Sequence, residues 1–125
     1  MTESIKEPYE DLYDEFIEKY NKTEVSPSDV GEVLTRIAGY FPNYNQELIK
    51  AERSFSLIKR DEIIKTDEAT GKAISATKSD TISDASSEAF IYKKARMHVQ
   101  NIELLISSLK FLQKSLEVEY LNSNI

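Results

Sequence analysis

From about Asp80 to Leu121 the chain contains neither proline nor glycine, and its apolar residues return every three or four positions. Ile82, Ala85, Ala89, Tyr92, Val99, Ile102, Ile106, Leu109, Leu112, Leu116 and Tyr120 make one stripe, the signature of a single amphipathic helix. At 1.5 Å per residue that helix would be roughly 60 Å long. A single domain of 125 residues is narrower than this, so part of the stripe needs a cover from outside the compact monomer. The part of the long helix that the hairpin partner leaves uncovered must meet the N-terminal helices, another subunit, or both, and self-association through Ile102, Ile106, Leu109, Leu112 and Leu116 is expected.

The rest of the chain also reads as helix. Charged residues make up 30% of it, and only 3 glycines and 3 prolines are present, too few turn formers for a sandwich of short strands. Pro8 suits a first helical turn, and Tyr9, Leu12, Tyr13, Phe16, Ile17 and Tyr20 follow at helical spacing with carboxylates opposite. Ser26-Pro27-Ser28-Asp29 is a second start signal, followed by an apolar face of Val30, Val33, Leu34, Ile37, Ala38 and Phe41. Pro42 is expected to end that helix, and Asn43 to cap a third that runs to about Lys65, with Tyr44, Leu48, Ala51, Phe55 and Ile58 on its seam. Residues 66–79 interrupt the pattern, and Gly71 is free to take a positive φ. That interruption reads either as a helix stop and loop or as a small β-hairpin flanked by Ile63, Ile64 and Ile74, after which Ser79 or Asp80 caps the long helix. The prediction is an all-α fold: residues 1–42 form an acidic extension of two short helices, and residues 43–125 form a long antiparallel helical hairpin that oligomerises.

Charge is distributed unevenly. The net charge is −6, and residues 1–42, with 4 Lys/Arg against 10 Asp/Glu, account for all of it. Cysteine is absent, which excludes disulfides, thiolate chemistry and Cys-ligated zinc. The N-terminus lacks the apolar segment of a signal peptide. No run of about 18 apolar residues is present, so a cytoplasmic protein without a membrane contact is expected.

No residue set identifies a reaction. His98 is the lone histidine, has no catalytic motif around it, and reads as a surface residue beside the stripe. Gly71-Lys72 lacks the upstream glycine of a phosphate loop, because position 66 is Thr. Asp61 and Glu62 diverge by about 100° on a helix and read as solvated charge, so neither a metal nor a cofactor is expected and the protein is read as non-enzymatic. The basic residues are the best candidates for a site. Lys50, Arg53, Lys59, Arg60 and Lys65 lie on the third helix, and Lys93, Lys94 and Arg96 lie on the long one near Tyr92 and His98; Arg53, Lys59, Arg60, Lys93, Lys94 and Arg96, with Tyr92, are the candidate contacts. Grouped Lys and Arg favour backbone phosphates, and an aromatic can stack on an unpaired base. Pairing with Glu47, Glu52, Glu62 and Glu88 is the alternative use of these bases. The aromatic face of the first helix, Tyr9, Tyr13, Phe16 and Tyr20, is a second candidate surface, suited to a protein partner.

Ala51-Glu52-Arg53, then Lys59-Arg60, a polar connector, and Ala76-Thr77-Lys78-Ser79-Asp80 leading into a long amphipathic helix together resemble the UvsY-type recombination mediators of large tailed phages, over roughly residues 43–121. The resemblance implies a ring-forming helical protein that binds single-stranded DNA. It also implies assistance in loading a recombinase onto strands covered by single-strand-binding protein, within the host cytoplasm. Its DNA contacts come from basic residues late in the first long helix, here Lys59 and Arg60 with Arg53 one to two turns earlier. The acidic N-terminal extension departs from that pattern. It leaves as the alternative a helical structural or interaction protein, such as a virion component, an adaptor or an inhibitor of a host protein, that binds no nucleic acid.

Overall fold

A computed structural model of the chain describes residues 6–65, 71–72 and 75–123, and every regular element among them is α-helical. The helices are α1 (Pro8–Lys22), α2 (Pro27–Ala38), α3 (Phe41–Ile64), α4 (Ala76–Asp84) and α5 (Ser87–Ser123). They fall into two units. Met1–Pro42 joins Gln100–Ile125 in the first, and Asn43–Val99 makes the second. The expected division placed residues 100–125 with the hairpin; instead they pack with the N-terminal helices.

In the first unit, α1 starts on Pro8, carries Glu10 and Asp11 in its first turn and Lys19 and Lys22 in its last, so both ends match the helix dipole. Tyr9 and Phe16 turn inward and are buried. The aromatic face predicted to meet a partner is therefore largely consumed by the protein's own core, and only Tyr20 remains substantially exposed. At α2 the Ser26 hydroxyl accepts from the Asp29 N–H at 3.2 Å and the Asp29 carboxylate accepts from the Ser26 N–H at 3.0 Å, the reciprocal capping box. Val30 and Ile37 are its buried face, and Ile102 and Leu109 of α5 are buried in the same unit. The Gln113 amide donates to the Pro27 carbonyl at 3.1 Å, linking α5 to the start of α2.

Pro42 does not terminate α2. That helix ends at Ala38 with Gly39 as its C-cap, and Pro42 lies in the first turn of α3. A first-turn residue has no use for an N–H donor, so proline fits there as well as at a helix end. Asn43, expected as a cap, is thereby inside α3, and Phe41 opens that helix instead of closing the previous one.

The second unit contains the largest departure. The single helix expected from Asp80 onward is two helices, separated at Ala85 and Ser86. Ser75, and neither Ser79 nor Asp80, caps α4, accepting from the Lys78 N–H at 3.2 Å. Ser86 starts α5, its hydroxyl accepting from the Ala89 N–H at 3.2 Å. A serine that satisfies a free first-turn donor can open a helix without any proline or glycine. The interruption also changes the inward face. On α4 it is Ser79 and Ser83 that are buried, while Ile82 is 40% exposed, so the predicted stripe does not continue through Ile82 and Ala85. From Ser87 the rod is unbroken for 37 residues, roughly 55 Å. Gly71 has φ 69°, the left-handed conformation expected of it. Residues 66–70 and 73–74, where a loop and a β-hairpin were the alternatives, lie outside the described residues.

Candidate nucleic-acid interface

The basic residues singled out by sequence all belong to the second unit. On α3, Ala51 and Phe55 are buried, and the 100° step of the helix turns Arg53, Lys59 and Arg60 outward, where all three are exposed. On α5, Ala89 and Val99 are buried, and the same step leaves Lys93, Lys94 and Arg96 exposed. Two aromatic contacts join the elements. The Phe55 and Tyr92 rings stack at 5.5 Å between centroids and 18° between planes, and Tyr44 meets His98 at 5.5 Å and 51°. The Lys59 ammonium lies 4.4 Å from the centroid of the Phe55 ring, a cation–π contact of about 0.5–1 kcal/mol at an exposed position. Lys59 is thus held against its own helix.

Two residues expected at the surface, His98 and Glu62, are buried. His98 is no surface residue: it is 8% exposed, with Tyr44 against its ring. The Tyr92 ring, expected to stack on a base, is half-buried and one of its faces is covered by Phe55. Glu62, read from the sequence as solvated, is 8% exposed and bonded by the Lys65 ammonium at 2.7 Å, which holds the Lys65 pKa above its ordinary value. No group of three or more His, Cys, Asp or Glu side chains that could hold a metal occurs among the described residues.

The electrostatics of the two units differ. The second unit holds ten Lys and Arg against nine Asp and Glu, a net charge of +1, whereas the first holds six against thirteen, a net charge of −7. Two of the second unit's bases pair with a glutamate three positions earlier, Lys50 with Glu47 at 3.7 Å and Lys65 with Glu62 at 2.7 Å. Arg53, Lys59, Arg60, Lys93, Lys94 and Arg96 make no salt bridge among the described residues. The alternative use of the bases, pairing with glutamates, is thus realised at Glu47 and Glu62, and Glu52 and Glu88 make no salt bridge among the described residues.

The residues assigned to self-association are partly covered within the chain itself. Ile102 and Leu109 are 0% and 1% exposed within the single chain, and Ile106, Leu112 and Leu116 are half-buried. Within the first unit α1 and α2 lie against this part of α5, through Tyr9 and Tyr13 near Asn101 and Leu105 and through Pro27 at Gln113. The large apolar residues that α5 leaves in solvent lie on its other face and include Phe90, Met97, Leu104, Phe111 and Val118, which the sequence reading missed. The signal that could have found them is their constant spacing of seven, which the denser three-and-four pattern of the inner face obscures.

Among the described residues no helix is long and apolar enough to cross a membrane. Comparison with known proteins finds no matching family model, no matching curated sequence and no matching solved structure.

Proposed function

We propose that this protein is a non-enzymatic accessory of recombination or replication that binds single-stranded DNA as an oligomer, with the second unit as the binding module. The observation that carries this reading is the set of six exposed bases, Arg53, Lys59, Arg60, Lys93, Lys94 and Arg96, that make no salt bridge among the described residues, in a unit of net charge +1 within a chain of net charge −6. Phosphates gain from such side chains because condensed counterions are released. A long antiparallel hairpin of α3 and the start of α5 would present both basic groups on one module. It is supported by the order of the contacts, Tyr44 with His98 and Phe55 with Tyr92, in which one index falls as the other rises. The groove flanked by Ala51, Ser54 and Ile58 on one side and Glu88 and Ile91 on the other fits the same arrangement. Assistance to a recombinase on strands coated by single-strand-binding protein follows from the resemblance to the UvsY-type mediators.

The test is fluorescence anisotropy of a labelled oligodeoxynucleotide across a salt series. Binding weakens as salt rises, and Lys59→Ala with Arg60→Ala lowers the slope of log K against log salt by about 1.4, at about 0.7 per phosphate contact. Absence of binding at low salt rejects the proposal. The second reading, a helical structural or interaction protein without a nucleic-acid ligand, is favoured by the net charge of −7 on the first unit, which repels a polyanion.

A further inference from the structure

Phe90, Met97, Leu104, Phe111 and Val118 follow one another at intervals of seven residues, and all are exposed, from 47% at Met97 to 75% at Phe111. An α-helix repeats every 3.6 residues, so a strict seven-residue row drifts about 20° per repeat around a straight helix. A flat surface cannot follow that drift. A second helix wound around the first in a left-handed supercoil can. The residues three positions after each of the middle members are Gln100, Ser107 and Lys114, so the row is flanked by polar side chains, of which Ser107 is small enough to let another helix approach.

The charges beside this row state which helix. The residue preceding each apolar member from Met97 onward is Arg96, Glu103, Lys110 and Glu117 in turn, all exposed and none in a salt bridge among the described residues. In an antiparallel pairing of two copies of α5 with Leu104 beside Ser107 of the second copy, these flanks face each other. Glu103 then meets Lys110 of the second copy and Arg96 meets Glu117 of the second copy, and twofold symmetry repeats both pairs. A parallel pairing would set Glu103 against Ser108 and Lys110 against Ser115, gaining no ion pair. It would also bring Lys93 and Lys114 each against its own copy. The antiparallel arrangement places those two lysines beside Val118 and Met97, where their methylene stems can pack.

We infer that the outer face of α5 is a self-association surface, an antiparallel coiled coil between two copies of this chain centred near Leu105 and Ile106. It specifies the contact for the oligomeric part of the proposed function and stands without the nucleic-acid part. Its apolar row supplies the affinity, and its charge pairs, exposed and individually weak, set orientation and register. Arg96 is then engaged with a second copy, leaving five bases for phosphate.

The test is sedimentation equilibrium of the full chain without DNA. The wild type is a dimer at roughly 100 µM. Leu104→Glu and Phe111→Asp, both at exposed positions, each weaken the dimer at least about tenfold while circular dichroism shows unchanged helicity. Lys110→Glu weakens it by setting like charges opposite one another, and adding Glu103→Lys in the same chain restores it, since the pair is reversed as a unit. A monomeric wild type, a dimer indifferent to the two apolar substitutions, or a charge swap that fails to restore association would each overturn the assignment. Oligonucleotide binding is read separately, through Lys59 and Arg60, so loss of one conclusion is distinguishable from loss of the other.

Discussion

The Gln113 carboxamide, on α5, donates to the carbonyl of Pro27, the first residue of α2, across 3.1 Å and 86 positions of sequence. It does so by occupying the space over Gly31: a methyl group added at Gly31 would stand 2.7 Å from the Gln113 nitrogen. Glycine inside a helix costs about 0.5–1 kcal/mol relative to alanine, so here helix propensity and a tertiary hydrogen bond oppose each other.

That opposition predicts a coupled pair of substitutions. Gly31→Ala alone changes stability little, because a propensity gain of about 1 kcal/mol is offset by displacing a hydrogen bond worth about 1 kcal/mol. Gln113→Ala alone destabilises by about 1 kcal/mol. In the Gln113→Ala background, Gly31→Ala becomes stabilising by about 1 kcal/mol. A double-mutant cycle by urea unfolding measures the coupling; additive effects would contradict the competition.

Ser79 and Ser83 are 1% and 0% exposed, and their hydroxyl oxygens have no hydrogen-bond partner among the described residues. Burying an unpartnered hydroxyl costs about 1–3 kcal/mol, and alanine keeps nearly the same shape. Ser83→Ala is therefore expected to stabilise by about 1 kcal/mol, with a matching rise in Tm. Ser83→Leu, which overfills a closed position, is expected to destabilise by about 1–3 kcal/mol. Thermal melts of the two variants decide the matter, and a loss of stability in Ser83→Ala would show a missing partner for the hydroxyl.

The capping box of α2 sets a pH dependence. Hydrogen bonds from the Ser26 backbone N–H and side chain hold the Asp29 carboxyl below its ordinary value. A carboxyl depressed by folding contributes stability that is complete above its unfolded pKa, about 3.9, and is lost as pH falls through the lower folded value. The loss is thus confined to acid below about pH 4. Asp29→Asn flattens the stability profile in that range and leaves its slope near neutral pH unchanged. Ser26→Ala, which removes the cap itself, costs about 0.5–2 kcal/mol at neutral pH.

Phe55 joins packing to charge placement, since it stacks on Tyr92 and lies under Lys59. Phe55→Ala is expected to cost about 3–5 kcal/mol. Phe55→Leu retains most of the volume but removes the ring face, freeing the Lys59 ammonium without unfolding the unit. Oligonucleotide affinity in Phe55→Leu should stay within about threefold of wild type, about 0.6 kcal/mol, whereas Lys59→Ala lowers it. An equal loss in both would mean that the ring, and not the cation, is the contact.

The helical character of the chain was legible because Tyr9, Phe16, Val30, Ile37, Phe55, Ile102 and Leu109 fall on helical spacing and are all buried. The basic residues were legible as exposed for the complementary reason. Three features were not. The Ser86 start of α5 depends on a hydroxyl reaching the Ala89 N–H, and serine in a polar stretch carries no sign of whether it will do so. Pro42 is compatible with both a helix end and a helix start, and the sequence does not distinguish them. Most consequentially, α5 carries apolar residues on two faces. Periodicity identified the denser one, of which Ile102 and Leu109 are buried within the chain and Ile106, Leu112 and Leu116 are half-buried, and it obscured the sparser outer row on which the proposed self-association rests.

Whether two copies meet head to tail along that row is read most directly by electron–electron double resonance. Because the chain has no cysteine, a spin label attaches only where one is introduced. For an antiparallel pair centred near Leu105 and Ile106, labels on Ser107→Cys lie about 10 Å apart across the helix contact, while labels on Lys114→Cys lie about 25 Å apart along the axis, at 1.5 Å per residue. A short distance at position 107 with a long one at position 114 is the predicted result. Short distances at both positions, or no dipolar coupling at either, would contradict it.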